Sequence, residues 1–162
     1  MKLANYRSPT PDDLQFIMSS WLHSNRNSDF ANYINNDTYY KLHEPLIKVL
    51  IAASMVTMIC DKEDPSHVYG YAVYELPNDK LILHYIYIKF NYRNMGLAKQ
   101  CLQTIYPLFG ETDCYLTHID RTMTRVSQDS ITKEPLVKRN SAFIKKREKY
   151  KLNYNPYLMI RN

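Results

Sequence analysis

Glycine is scarce here, with three in 162 positions. Phosphate loops built on repeated glycine are missing: neither G-x-x-x-x-G-K-[ST] nor G-x-G-x-x-G occurs, which disfavours nucleotide triphosphatases and Rossmann enzymes. Cysteine is equally rare. Cys60, Cys101 and Cys114 are odd in number, sit inside apolar runs and show no C-x-x-C spacing, so buried free thiols are expected in place of disulfides or zinc ligands. No run approaches the roughly 18 apolar residues that a membrane span needs, and MKLANYRSPTPDD lacks the apolar segment of a signal peptide. The expectation is a cytoplasmic protein without a membrane partner. Repeats and low-complexity tracts are lacking too, and the length suits one domain over residues 1–162, large enough for its own core.

Acidic residues are scarce at one end. Residues 1–120 carry 10 Lys/Arg and 13 Asp/Glu, a net of −3, whereas residues 121–162 carry 11 and 3, a net of +8. The basic quarter suits an anionic partner, nucleic acid or a phosphorylated cofactor, or else a solvated helix face.

What is present is regular. Thr10 caps a helix that Pro11 opens, Asp12 and Asp13 favour its positive end, and Leu14, Ile17 and Trp21 form its stripe. Asn25 to Asp37 reads as a loop, and a second helix runs from Thr38 to Ala53, with Pro45 either starting its regular part or kinking it. Strands are predicted at Met55–Cys60, Val68–Glu75 and Lys80–Lys89, joined by the turn-rich DKEDPSH and LPND. The third is apolar on both faces, with Leu83, Tyr85 and Tyr87 on one and Ile82, Ile86 and Ile88 on the other, as a central strand should be. A helix from Asn94 to Tyr106, a strand from Asp113 to His118, a helix from Pro135 to Lys151 and a strand from Tyr157 to Ile160 complete the order β-α-α-β-β-β-α-β-α-β. This is an α+β class. Ile119 to Glu134 is a long polar loop.

One glycine falls in KFNYRNMGLAKQ, between the central strand and the next helix. A helix starting near Asn94 points unpaired N–H groups into the space beyond the strand, Gly96 leaves room for a phosphate, and Arg93 adds charge. The plainer alternative is that Gly96 only lets strand and helix pack closely.

Arg93, Gly96 and Ala98, with Asn94, Met95 and Leu97 in the variable places, make this stretch resemble the [RQ]-x-x-G-x-[GA] signature of the GNAT acyl-CoA N-acyltransferases. The order of elements is similar to that family from about Tyr6 to Ile160. The resemblance implies a three-layer fold, a mixed central sheet with helices on both faces, and acetyl-CoA as co-substrate. It places the carrier's pyrophosphate on residues 93–98 and its pantetheine arm on Ile86, Tyr87 and Ile88, where the central strand splays from the strand near Cys114–His118. An amine-bearing acceptor would then attack the thioester directly.

Arylalkylamine-type members carry a histidine at the offset of His84, which implies His84 as general base, with Glu75 in reserve as an exposed strand terminus. A tyrosine on the last helix, here Tyr150, would protonate the leaving thiolate. The chain departs from the family there: Asn140 and Ala142 stand too close, and KYKLNYNPY replaces Gly-Phe. SSWLHS, LHYIYIK and YNPYL further resemble the small GNAT-like proteins of tailed bacteriophages, which would place the protein in a host cytoplasm. Two alternatives follow. One is DNA-base modification of the phage Mom type, with metal ligands drawn from Tyr39, Tyr40, His43, His84 and His118. The other is an inactive binding or virion-associated module.

Overall fold

The computed structural model describes residues 1–26, 31–118 and 148–159, without the side chain of Asn32. The elements are β1 (Asn5–Arg7), α1 (Pro11–Arg26), α2 (Asn36–Ala53), β2 (Met55–Cys60), β3 (Val68–Glu75), β4 (Leu81–Ile88), α3 (Leu97–Ile105), β5 (Cys114–Leu116) and β6 (Leu152–Tyr154). Most of the basic quarter, the loop from Ile119 to Glu134 and most of the helix expected at Pro135–Lys151 lie outside the described residues.

Local chemistry accounts for the helix starts. Asp13 accepts from both the N–H and the hydroxyl of Thr10, at 2.7 and 3.0 Å, and pairs with Arg7 at 2.6 Å, so one carboxylate ties strand β1 to the first turn of α1. The Asn35 side chain accepts from the Thr38 N–H and caps α2. That helix begins at Asn36 and runs through Pro45 to Ala53, so Pro45 does not start it. Its buried face, Tyr39, His43, Ile47 and Leu50, keeps helical spacing across the proline.

The six strands form one sheet in chain order. β1 to β4 are antiparallel neighbours, while β4–β5 and β5–β6 are parallel. One face of the sheet packs Leu81, Leu83 and Leu116 against Leu97, Cys101 and Leu102 of α3. The other packs Met58, Tyr71 and Tyr85 against Ile17 and Trp21 of α1 and Tyr39 and Ile47 of α2. All three cysteines are buried free thiols, as expected. Burial pushes the Cys101 thiol up to about 12 and Cys114 to about 11, which keeps both unreactive.

Two details correct the reading of the strands. Val73 pairs with Tyr85 but Tyr74 pairs with Leu83, so His84 is an extra residue, a β-bulge in β4. The bulge reverses the alternation: Leu81 and Leu83 share the α3 face with Ile86 and Ile88, while Tyr85 and Tyr87 face α1 and α2. The last strand is Leu152–Tyr154, whereas 156–159 form a 3-10 turn. Pro156 has no N–H to give a sheet ladder. Residues 148–150 are helical, and Lys151, at φ 52, turns the chain out of that helix into β6.

Candidate active site

β4 and β5 pair only from Leu81/Cys114 to Leu83/Leu116, with one further bond from the Thr117 N–H to the Leu83 carbonyl at 3.2 Å. Beyond that point the strands part. A cleft of about 370 Å³ opens between them on the α3 side, walled by Leu83, Ile86 and Ile88 on one flank and Leu116, Tyr150 and Leu152 on the other. The Lys89 N–H donates to Tyr69 on β3 at 2.8 Å. By antiparallel alternation the polar backbone groups of Ile86 and Ile88 therefore point the opposite way, toward the gap, while those of Tyr87 serve β3. The Arg93 side chain agrees: its Nε–H donates to the Ile88 carbonyl at 2.8 Å from the gap side.

The cleft ends at the turn into α3. Residues 90–92 form a 3-10 turn, Asn94 has φ 63, and Gly96 has φ 85 as the N-cap, so α3 begins at Leu97, three residues later than the sequence predicts. A Cβ on Gly96 would meet only a Leu3 methyl at 3.5 Å. Left-handed backbone, not crowding, is what calls for glycine there. The first intrahelical bond is Gln100 N–H to the Gly96 carbonyl at 3.0 Å, so the N–H groups of Leu97, Ala98 and Lys99 have no partner within the helix. Arg93, Asn94, Gly96, Leu97 and Ala98 line the cleft; Met95 does not, and is 57% exposed. The Arg93 guanidinium lies 5.7 Å from the Tyr87 ring and 5.9 Å from the Phe90 ring.

His84 is elsewhere. The bulge buries it completely, off the cleft wall, with Nε2 2.6 Å from Glu75 Oε2 and Nδ1 3.0 Å from Thr117 Oγ1. Glu75 is thus no exposed terminus: its side chain is 21% exposed and engaged with the histidine. The Thr117 hydroxyl in turn lies 3.0 Å from His118 Nδ1. Sequence reasoning pairs the strands of His84 and His118 but misses Thr117. A threonine at a strand end carries no mark of its role; the facing histidine and the neighbouring one were the signal available.

His118 packs edge-on against Trp21 at 5.2 Å and His43 at 5.5 Å. Burial, with His43 and His84 nearby, lowers it to about 3, and burial lowers His43 as well. The Asn25 amide donates to His43 Nε2 at 2.8 Å. No cluster of three or more His, Cys, Asp or Glu side chains is placed to hold a metal among the described residues. Tyr150 stacks on Phe109 at 5.2 Å and 15°, with the Lys149 ammonium 5.2 Å from its ring centroid.

No protein-family model and no curated protein matches the chain. Solved structures do. A possible acetyltransferase from Clostridium difficile 630 is 16% identical over 95% of each chain, with a TM-score of 0.50. A Corynebacterium glutamicum ATCC 13032 protein of the group "histone acetyltransferase HPA2 and related acetyltransferase" is 15% identical over 67% of this chain and 74% of its own, with a TM-score of 0.51. The chain spans 62% of a GNAT-family acetyltransferase from Staphylococcus aureus Mu50, at 14% identity and a TM-score of 0.41. At such identities the likeness is one of fold. Six mixed strands, helices on both faces and the Clostridium and Corynebacterium neighbours give one conclusion: the chain has the α+β fold of the GNAT acetyltransferases.

Proposed function

We propose that the protein is a GNAT-superfamily N-acyltransferase that moves an acetyl group from acetyl-CoA to an amine by direct attack. The observation that carries this reading is the cleft where β4 and β5 part, leading to the amides at the start of α3 that have no partner within the helix. The residues present fit an acyl carrier with an anionic diphosphate. The N–H groups of Leu97, Ala98 and Lys99 and the Arg93 guanidinium would hold the diphosphate, and the Ile86 and Ile88 backbone groups would hold the amides of the arm. Arg93 donates to the Ile88 carbonyl, which keeps a second lone pair for the arm. When bound, the carrier supplies a thioester carbonyl that an amine can attack.

The protein's part is to align the amine, receive its proton and stabilise the charge on the carbonyl oxygen. His84 with Glu75 supplies the basic pair, and Tyr150, on the cleft wall, supplies a phenol for the departing thiolate. The test is calorimetric titration with acetyl-CoA beside an assay of thiol release with small amines. Gly96→Glu should abolish binding, because its carboxylate enters the diphosphate's place, and should cost some stability through the left-handed backbone there. Unchanged affinity in that variant would defeat the assignment.

A further inference from the structure

The turn between β2 and β3 is ordered by its own polar groups. Asp61 Oδ1 accepts from the Glu63 and Asp64 N–H groups at 2.9 and 3.1 Å. The backbone closes it with Asp61 N–H to the His67 carbonyl at 2.9 Å and His67 N–H to the Asp64 carbonyl at 3.0 Å. Two rings leave this turn in fixed positions. The Tyr69 hydroxyl donates to Asp61 Oδ2 at 2.5 Å, and His67 Nε2 lies 2.7 Å from the Tyr92 hydroxyl. The Tyr69 and Tyr92 rings pack with centroids 4.4 Å apart, and His67 stands edge-on to both, at 5.2 and 5.7 Å. Tyr92 itself belongs to the 3-10 turn after β4, closed by its N–H to the Lys89 carbonyl at 2.9 Å. These contacts immobilise a tyrosine that is only half-buried.

Tyr92 lines the cleft together with Arg93, Gly96 and Leu97, at the end where the α3 amides lie. Three other aromatic rings line that cleft. Phe109 and Tyr150 stack on each other, and Tyr87 carries the Arg93 guanidinium at 5.7 Å. Tyr92 has Tyr69 against one side and the cavity beside it. A carrier whose diphosphate rests on the α3 amides, with its arm in the β4–β5 gap, must lead its nucleoside away from the gap, out past the turn at 90–96. We propose that Tyr92 is the stacking face for the adenine base of acetyl-CoA, held ready by His67 and Tyr69. This rests on the acyltransferase reading above and adds to it the group that takes the base. A neutral base offers a π-face and no charge, so a fixed ring recognises it better than another cation. Because that ring is set before the carrier arrives, little side-chain freedom is lost on docking.

Calorimetry with two probes tests the assignment: acetyl-CoA, and acetyl-phosphopantetheine, which keeps the arm and a phosphate but lacks the nucleoside. Tyr92→Leu should weaken acetyl-CoA about tenfold and leave acetyl-phosphopantetheine unchanged, whereas Tyr92→Phe, which keeps the ring, should stay within about threefold of wild type for both. In the wild-type complex the adenine ring protons should move upfield in the NMR spectrum, as protons above an aromatic face do. Equal weakening of both probes by Tyr92→Leu, weakening of neither, or a phenylalanine variant as impaired as the leucine one overturns the stacking face while the transferase stands. Adenine protons that do not move upfield in the wild-type complex overturn it whatever the variants do. If the wild type binds neither probe, the acyltransferase reading fails, and the base's place fails with it.

Discussion

His84 owes its place to a single inserted position in β4. Without the bulge it would share a face with Ile86 and Ile88 or with Tyr85 and Tyr87; with it, the ring lies between Glu75 on one neighbouring strand and Thr117 beyond the other. His84→Ala therefore has two effects. Turnover should fall most near neutral pH, seen in a kcat profile, because the proposed basic pair with Glu75 is gone. Stability should fall by about 1–3 kcal/mol in urea unfolding, because the buried Thr117 hydroxyl loses a partner. Full activity in that variant would return the histidine to a purely structural role. Much of the site was legible residue by residue: Arg93, Gly96 and Ala98 stand out as a motif, and a histidine within an apolar strand invites a question. Thr117 and the engagement of Glu75 were not, since both depend on register, and a bulge has no composition of its own to announce it.

Among the elements, β2 and β3 match their predicted spans residue for residue, because alternation within and turn residues between leave few other readings. The start of α3 was misread because Asn94 and Gly96 take left-handed backbone, which delays the helix without disturbing its apolar spacing. The last strand was misplaced for a related reason: alternating Tyr157 and Met159 mimic a strand that Pro156 prevents. The first turn of α1 makes a sharper claim. Asp13 is held at about 2, chiefly by the Arg7 guanidinium and further by Thr10, below its ordinary 3.8. A depressed carboxyl stabilises the fold above its unfolded value, and that contribution is lost as pH falls through the folded one. Asp13→Ala should lower stability by about 1 kcal/mol at neutral pH, with the gap to wild type closing as pH approaches 2 in a series of thermal melts.

For the molecule as a whole, two cores share one sheet, and the α1/α2 side holds neutral histidines in its interior. Those two, His43 and His118, make acid a general threat. Their pKa values are lowered on folding, so below about 6.5 the unfolded chain binds protons that the folded one refuses. Unfolding free energy should decline as pH drops from about 6.5 toward 3, and His118→Phe should flatten that decline in chemical denaturation at stepped pH. A decline as steep in the variant would assign the acid sensitivity to other groups. The overall α+β order was readable because periodicity reports burial. The parallel β5–β6 pairing was not, since it joins segments nearly forty positions apart with only three residues on each side.

That pairing also sets an order of events. The meander β1–β4 closes through antiparallel neighbours, but β5 is gripped between two parallel strands, one of which, β6, is made long after it. Distant parallel contacts form slowly. During synthesis, the sheet would exist as a half-finished platform before Tyr150 and Leu152 emerge to complete the second wall of the cleft. Whatever this protein does with that cleft, it can do only once β6 has docked, so competence waits on a strand made well after the one it grips.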